Sequence, residues 1–491
     1  MSSVSVLGKK WILKEFNNED VNFYKNQFFV DDIIAKLLSI RKIPREDVMN
    51  YLEPTIKNSI PNPSVLVDME KATVRTLECI INKEPIGVFG DYDVDGATAT
   101  AILGRYFNSI NQKCEIYIPD RQTEGYGPSE IGFSKLIKKN IKLIFTVDCG
   151  TLSFDPIKFA KKKNVDVIVL DHHQSEVKLP NAHSVVNPNR LDDQSNLDYL
   201  CAAGVCFMFL VALNKKLRQE GWFNKNSIKE PNLIDYLDLV SLGTVCDVVP
   251  LVGLNRAIVK QGLKIIKNKT NLGLKTLFEI CKIDISPNTY HLGYVLGPRI
   301  NAGGRVGKCS HGANLLLNNS AKETFKIAVE LNNFNKERQL LESELLSKIL
   351  NINYNNSSDP VLILHGENWH EGVIGIIASR IKDKFNKPTI IISTKDNIGK
   401  GSARSIYGFD IGSTILSAVY EKILIKGGGH KMAGGFTIDM SKISRFKEFV
   451  FKRFKSVNIN LSLQRDYYFD SEIAPSALNT NFFNKVYTLS P

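Results

Sequence analysis

Three acidic residues at alternate positions crowd one short segment of the chain, residues 90–96 (Gly-Asp-Tyr-Asp-Val-Asp-Gly). They are Asp91, Asp93 and Asp95, and they come directly after the apolar run at residues 86–89. Carboxylates this close repel one another, and they cannot all stay ionised near neutral pH without a cation or strong hydrogen-bond donors beside them. The spacing therefore predicts a site for a divalent metal ion.

Further groups with ligand chemistry follow other apolar runs. They are Asp148 after residues 143–147, the triplet Asp171, His172 and His173 after residues 165–170, and Asp247 within residues 243–250. A mixed set of oxygen and nitrogen ligands suits Mn²⁺ better than Mg²⁺. Two such ions side by side could activate a water molecule and stabilise the leaving oxygen of a phosphodiester, so the residues predict hydrolysis of that bond.

The segments that carry these residues are predicted to form a parallel sheet. From about residue 65 to 250, short β-rich runs alternate with helical stretches such as 128–139 and 156–164, which is typical of βαβ units. Ligands bind outside the carboxyl ends of the strands in such a sheet, so we expect the clusters to converge in one crevice. A single aspartate after a strand is more often a helix cap than a metal ligand. The prediction of a metal site therefore rests on all these residues together.

Size and composition narrow the class of protein. At 491 residues and 43% hydrophobic, the chain can bury large cores, and its length suggests two to four domains. The net charge of +12 favours a polyanionic partner. Its eight cysteines form no Cys-x-x-Cys pair, which predicts reduced thiols, a cytoplasmic location and no structural zinc. Neither a signal peptide nor an apolar run of membrane-spanning length is visible, so we expect no membrane.

The remaining sequence divides the chain further. Ser320 and Glu323 form a capping box that predicts a long helix from about 321 to 350. The polar, turn-prone run at residues 351–360 marks a boundary, beyond which a second α/β unit begins. The predicted domains are an N-terminal appendage (1–64), the metal-bearing domain (65–290), a connector containing the long helix (291–358), the second unit (359–455) and a C-terminal segment (456–491).

Four motifs resemble those of the DHH phosphoesterases: residues 91–96, 146–150, 171–173 (Asp-His-His) and 243–250. Within that superfamily the chain is similar to the RecJ family of bacterial exonucleases, through motifs at residues 124–127, 187–189, 297–302, 369–375, 401–405 and 428–430. The resemblance covers roughly residues 20–490. It implies a parallel-sheet DHH domain that a long helix joins to a smaller α/β, DHH-associated domain that binds nucleic acid.

The resemblance also implies an activity. Members of the family are metal-dependent exodeoxyribonucleases that degrade single-stranded DNA in the 5′→3′ direction, in DNA repair and recombination. Two Mn²⁺ or Mg²⁺ ions would be the cofactors, and single-stranded DNA would be the partner, with a single-strand-binding protein and a helicase as further partners. The implied catalytic and metal-binding residues are Asp91, Asp93, Asp95, Asp148, His172, His173 and Asp247, with His173 either ligating metal or steadying the scissile phosphate.

A basic pocket for the 5′-terminal phosphate is a further implication of the resemblance. The matching positions are Arg121, Arg299, Arg305, Ser402 and Arg404, with His430 as a DNA contact. Arginine binds phosphate through two parallel hydrogen bonds, and a hydroxyl adds a short donor. Surface or interdomain salt bridges are the alternative for Arg121 and Arg305, and capping of a loop is the alternative for His430.

The sequence leaves alternatives for three aromatic residues and for the function of the chain. Tyr126, Trp369 and Phe409 could stack on unpaired bases, although core packing is the more frequent use of an aromatic ring. Family members continue into an OB-like barrel, of which residues 456–491 are expected to contain only the approach. The alternative functions are a phosphodiesterase for short oligonucleotides or cyclic dinucleotides, and a catalytically silent replication scaffold.

Overall fold

The computed structural model describes residues 10–121, 123–268, 270–351, 359–457 and 466–491. Most of the predicted boundary run at 351–360 lies outside the described residues. The chain forms two compact units. The larger unit contains residues 15–335 and 472–491, and the smaller unit contains the described parts of residues 1–14 and 336–471.

Strands and helices are numbered in chain order. The strands are β1 (Trp11–Leu13), β2 (Ile86–Phe89), β3 (Cys114–Tyr117), β4 (Leu143–Val147), β5 (Asp166–Leu170), β6 (Ser184–Val186), β7 (Leu362–Glu367), β8 (Thr389–Lys395), β9 (Ile398–Arg404), β10 (Lys426–His430), β11 (Ala433–Asp439) and β12 (Tyr467–Phe469). The first ten helices are α1 (Asn18–Phe28), α2 (Asp32–Ile40), α3 (Val48–Leu52), α4 (Ile56–Ser59), α5 (Met69–Ile81), α6 (Val94–Ser109), α7 (Glu130–Ile137), α8 (Phe154–Lys162), α9 (Ala202–Gln219) and α10 (Trp222–Lys225). The others are α11 (Leu237–Cys246), α12 (Gly253–Lys267), α13 (Leu272–Ile280), α14 (Gly297–Val306), α15 (His311–Leu317), α16 (Ala321–Asn351), α17 (Glu371–Phe385), α18 (Ile411–Tyr420), α19 (Ile443–Ser456) and α20 (Thr480–Tyr487).

The larger unit is built on a five-stranded sheet in the order β3-β2-β4-β5-β6. Every neighbouring pair in it is parallel. Strands β2 and β4 are buried along their whole length, as expected for parallel strands covered on both faces. The helices predicted at 128–139 and 156–164 are α7 and α8, and α8 begins two residues earlier than predicted.

Helix α6 is central to the core of this unit. Almost all its residues are buried, from Val94 to Phe107, because small and apolar side chains surround it on every face. It packs against α9, α11 and α15. The helix begins at the carboxyl end of β2, inside the acidic motif, so the core fixes the position of that motif.

The end of the described chain returns to the first helices of the larger unit. Leu489 is buried among residues of α1 and α2, including Tyr24 and Leu38. The buried guanidinium of Arg256, on α12, donates to the backbone oxygens of Leu489 (2.7 Å) and Pro491, and also to that of Tyr51 (2.8 Å). Residues 472–491 are therefore part of this unit's packing.

The smaller unit contains a mixed five-stranded sheet in the order β10-β11-β9-β8-β7, in which β7 and β8 are parallel and the other pairs are antiparallel. Strands β1 and β12 form a separate parallel pair. Helix α16 matches the predicted long helix and continues from one unit into the other. Its residues Ala328 and Leu331 lie in the core of the larger unit, and Leu345 and Ile349 lie in that of the smaller.

Within the described residues, none of the helices combines the length and the apolar character that crossing a membrane requires.

Candidate metal centre

The side chains predicted as ligands converge at the carboxyl ends of the parallel strands. Three overlapping groups each offer ligand atoms that all lie within 4.8 Å of one another. The groups are Asp91, Asp93 and Asp148; Asp148, His172 and His173; and Asp95, His172 and Asp247. All seven predicted residues belong to at least one group, which is the convergence expected from the strand-end rule.

His172 lies at the middle of the acidic cluster. Its Nε2 atom is 3.3 Å from Oδ1 of Asp148, and 3.7 Å from Oδ2 of both Asp95 and Asp247. The four side chains, which come from the ends of β4 and β5, the first turn of α6 and the end of α11, therefore meet in one small volume. A nitrogen ligand among carboxylates is the mixed donor set that suits Mn²⁺.

Backbone donors fix two of the aspartates. Asp93 caps the N-terminus of α6 by accepting from the backbone N–H of Gly96 at 3.0 Å. Both oxygens of Asp95 accept from the first N–H groups of α9, those of Ala202 (2.6 Å) and Ala203 (2.9 Å). The positive end of a helix favours an ionised carboxylate, so α9 holds Asp95 in place. A Cβ atom at Gly243 would lie 2.8 Å from Oδ1 of Asp95, so α11 can approach only with glycine there.

Asp148 is held in an unusual backbone conformation. Its φ angle is 60°, in the left-handed region that aspartate tolerates better than most residues. The hydroxyl of Tyr126 donates to the backbone oxygen of Asp148 at 2.8 Å, and the Tyr126 ring lies 5.8 Å from that of His173. Base stacking and core packing were the two predictions for Tyr126, and the sequence did not reveal this contact of its hydroxyl with the metal cluster.

A network of polar residues supports the two histidines. Asp171 accepts from Nδ1 of His173 (2.8 Å) and from the hydroxyl of Thr151 (2.6 Å). Two asparagines support the histidine backbone: Asn187 donates to the oxygen of His173 (2.8 Å) and Asn189 to that of His172 (2.6 Å). Both asparagines belong to the motif at residues 187–189, but the sequence assigns them no role because an asparagine side chain is not a typical metal ligand here. Their hydrogen bonds hold the backbone of both histidines.

Burial and mutual repulsion shape the ionisation of the cluster. Burial, followed by neighbouring carboxylates, raises the pKa of Asp91 and of Asp148 well above the ordinary value. The same causes raise the pKa of Asp247 to about 8. Burial acts in the same direction on Asp171, but hydrogen bonds from His173 and Thr151 outweigh it and hold its pKa well below the ordinary value.

The cluster fits a divalent cation on chemical grounds. Oδ1 of Asp91 is buried and has no hydrogen-bond partner among the residues that the structure describes, which is costly unless something else satisfies it. A cation would satisfy this oxygen and relieve the repulsion among the carboxylates. The residues present are therefore the donor set that a metal centre requires.

Two of the predicted phosphate ligands lie beside the acidic motif. The guanidinium carbon of Arg121 is 5.6 Å from the centre of the Tyr92 ring, between Asp91 and Asp93 in sequence. Helix α14 approaches the same ring, because a Cβ atom at Gly304 would lie 2.9 Å from Tyr92. Gly304 precedes Arg305, so the structure brings the side chain of Arg121 and the backbone next to Arg305 to Tyr92.

Arg299 has protein acceptors. Its Nη1 atom donates to the backbone oxygen of Val295 at 2.7 Å, and its Nε atom donates to Asn332 at 3.1 Å. These contacts tie α14 to the long helix α16. A phosphate contact by Arg299 stays a prediction.

In the smaller unit, Ser402 and Arg404 share one face of β9. Nη1 of Arg404 donates to the Ser402 hydroxyl at 3.2 Å, and Gly375 of α17 lies close to both. The strand register pairs Arg404 with Ala433, and Ala433 with His430, so these residues occupy one row across the sheet. Phe409 is buried in this unit's core, where its ring contacts that of Phe454, so the core prediction is correct for this residue.

Comparisons with known proteins agree with this architecture. Residues 85–244 match the DHH family, N-terminal domain, and residues 358–456 match the DHHA1 domain. The single-stranded-DNA-specific exonuclease RecJ of Escherichia coli is 36% identical over 408 residues, which are 81% of this chain and 70% of that protein. The chain belongs to the RecJ family. The predicted resemblance and the predicted fold class, two α/β units with a long helix between them, are confirmed.

Solved structures of RecJ proteins support the same assignment. RecJ from Thermus thermophilus in complex with Mn²⁺ matches with a TM-score of 0.83 and 28% identity, over 98% of this chain and 67% of that one. A structure of exonuclease RecJ bound to manganese matches with a TM-score of 0.69 and 31% identity, over 82% of this chain and 97% of that one. The chain spans about half the length of the Bacillus subtilis RecJ, at 53%, with 31% identity.

Proposed function

We propose that this chain is a metal-dependent exonuclease that hydrolyses single-stranded DNA from its 5′ end. The observation that carries the proposal is the set of three overlapping ligand groups at the carboxyl ends of the strands. Mn²⁺ or Mg²⁺, two ions per chain, are the proposed cofactors. Structures of RecJ proteins with either metal support this choice.

The chain's own residues would hold two cations in adjacent positions. Asp91, Asp93 and Asp148 form one group, and Asp95, His172 and Asp247 form the other, with His172 also close to Asp148. When bound, the ions would supply Lewis acidity, which lowers the pKa of a water molecule and stabilises the leaving oxygen. The carboxylates would compensate the charge of the ions and hold them in position before substrate arrives.

His173 is proposed to steady the scissile phosphate. Its Nδ1 atom donates to Asp171, and the hydrogen bonds to that carboxylate outweigh its burial and keep it ionised. An imidazole paired in this way is fixed in orientation and favours the protonated, cationic form. A cationic ring beside the metal ligands would hold a phosphate by a charge-assisted hydrogen bond.

Specificity for the 5′ end is proposed to come from the arginines. Arg121 and Arg305 belong to segments that meet at Tyr92, next to the acidic motif, and they would bind a terminal phosphate of the strand. Ser402, Arg404 and His430 of the smaller unit are proposed to contact the strand as well. All these roles rest on the family resemblance and on the chemistry of the side chains.

Three further proposals follow from family membership. The pathway is DNA repair and recombination, and a single-strand-binding protein and a helicase would be partners. We propose the cytoplasm as the location, which the eight unpaired thiols support, because a reducing compartment keeps them so.

Digestion of end-labelled DNA tests the proposed function. A single strand labelled at its 5′ end should release the label as a mononucleotide at once, whereas the same strand labelled at its 3′ end should shorten progressively. Duplex DNA and a cyclic dinucleotide serve as competing substrates, and Asp148→Asn serves as the inactive control. Preference for the cyclic dinucleotide, or progressive shortening of the 5′-labelled strand, would overturn the proposal.

A further inference from the structure

An exposed pair of aromatic rings lies on the segment that precedes α14. Tyr290 and Tyr294 are 61% and 75% exposed, and their ring centres are 5.3 Å apart with planes inclined by 25°. The two rings are therefore stacked on each other in solvent. Exposed aromatic rings can stack on unpaired bases, and such stacking tolerates any base sequence.

Tyr294 lies within a π-helix, His291–Leu296, which directly follows Tyr290 and continues into α14. Short π-helical segments are rare and occur frequently at functional sites. At its start the backbone N–H of Asn288 donates to Nδ1 of His291 (3.1 Å), and the N–H of His291 donates back to Oδ1 of Asn288 (3.2 Å). These two hydrogen bonds hold the start of the segment that carries the two tyrosines.

This segment packs directly against the end of α11, which precedes the candidate ligand Asp247. The thiol of Cys246 contacts the backbone oxygen of Leu292 at 3.3 Å. A Cβ atom at Gly297 would lie 2.6 Å from the Cys246 sulfur, so the two segments are as close as glycine permits. The segment that carries the tyrosines therefore contacts the residue next to a candidate metal ligand.

The composition of the chain segment that carries the pair favours a polyanion. Residues 285–322 contain no aspartate or glutamate, although the whole chain has 51 acidic residues among 491. The same stretch contains four basic residues, Arg299, Arg305, Lys308 and Lys322. Aromatic rings on a segment with an excess of basic residues are the combination that binds single-stranded nucleic acid. A protein partner would not require this stretch to lack aspartate and glutamate, whereas the phosphates of a nucleic acid are repelled by them.

We propose that Tyr290 and Tyr294 form a platform on which unpaired bases of the substrate strand stack beside the metal centre. The inference rests on the proposed function, because it assumes that a single strand enters this centre. It adds a contact to bases, whereas the arginines contact phosphate. The platform would favour strands whose bases are unpaired, since a base within a duplex does not offer its face.

Binding of two matched strands tests the platform. A short oligothymidylate and an abasic strand of the same length carry the same phosphates, and affinity is measured by fluorescence anisotropy with EDTA to prevent cleavage. Tyr290→Ala/Tyr294→Ala should weaken binding of the oligothymidylate between about fivefold and about a hundredfold, and should leave the abasic strand unchanged. Tyr290→Phe/Tyr294→Phe keeps the rings and should bind like the wild type.

A second stacked pair in the same unit is the matched control. Phe483 and Tyr487 on α20 are 61% and 53% exposed, with ring centres 5.6 Å apart and planes inclined by 22°. Phe483→Ala/Tyr487→Ala removes a similar pair of exposed rings and should not change either affinity. If the tyrosine double variant fails to fold, Tyr294→Ala, at the more exposed position, should show a smaller loss for oligothymidylate alone.

The outcomes separate this inference from the proposed function. The platform would be overturned if the tyrosine double variant lost affinity equally for both strands or for neither, or if the control variant lost affinity equally. Digestion of single strands by the wild type would leave the proposed function intact in each case. Unchanged strand affinity with altered self-association in light scattering would assign the pair to a protein contact and overturn the platform too. A wild-type chain that binds neither strand and digests none contradicts the proposed function, and this inference with it.

Discussion

Replacement of Asp148 by asparagine should stabilise the metal-free protein and remove its response to metal. The asparagine would keep the shape of the side chain, tolerate the left-handed backbone and retain the backbone hydrogen bonds to Leu170 and Tyr126. It would remove one carboxylate from a buried cluster. The variant therefore separates the charge of Asp148 from its geometry.

The size of the effect follows from the distances in the cluster. Ligand oxygens of Asp91, Asp93 and Asp148 lie within 4.8 Å of one another. At an effective dielectric constant of about 20, one ionised neighbour at that distance costs about 3.5 kcal/mol. For a unit of roughly 340 residues this corresponds to a rise in Tm of roughly 5 °C.

The pH dependence has a definite sign. Burial and neighbouring carboxylates raise the pKa of Asp148 in the folded protein, so the folded state holds this proton more tightly than the unfolded state. The stability that this group contributes is present at low pH and is lost as pH rises through the raised pKa. The advantage of Asp148→Asn in EDTA should therefore grow from acidic to alkaline pH.

Thermal unfolding with EDTA and with Mn²⁺ measures both effects. The wild type should gain stability from Mn²⁺, because a ligand that binds only the folded state stabilises it, and the variant should gain little. Asp238→Asn, at a buried acid outside the ligand groups, is the control that should leave the Mn²⁺ response intact. A variant that is less stable than the wild type in EDTA, or that gains equally from Mn²⁺, would refute this reasoning.

Three other perturbations test separate parts of the structure. Burial raises the pKa of Asp238 to about 6, so the stability of the wild type should fall as pH rises from about 4 to about 6. Above that range Asp238→Asn should be more stable than the wild type by up to about 3 kcal/mol. Urea unfolding at several pH values checks this, and a difference between the two proteins that does not change with pH would contradict it. Tyr126→Phe keeps the ring but loses the hydrogen bond to the Asp148 backbone, so it should lower the free energy of unfolding by about 1 kcal/mol and weaken Mn²⁺ binding in calorimetry. A stability and an Mn²⁺ affinity equal to those of the wild type would assign Tyr126 to stacking alone. Arg404→Ala should weaken binding of a 5′-phosphorylated strand by about 1.5–3 kcal/mol and that of a 5′-hydroxyl strand less, and equal losses in competition binding would point to a general backbone contact.

The positions of the candidate ligands could be predicted because the rule involved is local. An acidic residue that follows a buried parallel strand lies at the carboxyl edge of the sheet, whichever strands are neighbours. Asp91, Asp148 and His172 therefore meet as expected. The start of α16 at Ala321 likewise agrees with the prediction from Ser320 and Glu323, since the start of a helix depends mainly on the residues next to it.

Contacts between distant segments could not be predicted in this way. Strand β1 pairs with β12, and nothing in residues 11–13 indicates a partner more than 450 positions away. The hydroxyl of Tyr126 and the asparagines Asn187 and Asn189 support the metal cluster through backbone atoms, which leave no pattern in the sequence. The stacking of Tyr290 on Tyr294 involves a π-helix. Hydrophobic patterns in a sequence reveal the periods of α-helices and strands, and not that of a π-helix.

Anomalous diffraction at the manganese edge, from crystals soaked in Mn²⁺, tests the metal centre most directly. The account predicts two peaks at the carboxyl ends of the strands, one among Asp91, Asp93 and Asp148 and the other among Asp95, His172 and Asp247. Soaked crystals of Asp148→Asn should lose at least one of them. Peaks elsewhere on the chain, or no peak at a concentration that supports digestion of single strands, would contradict the central claim.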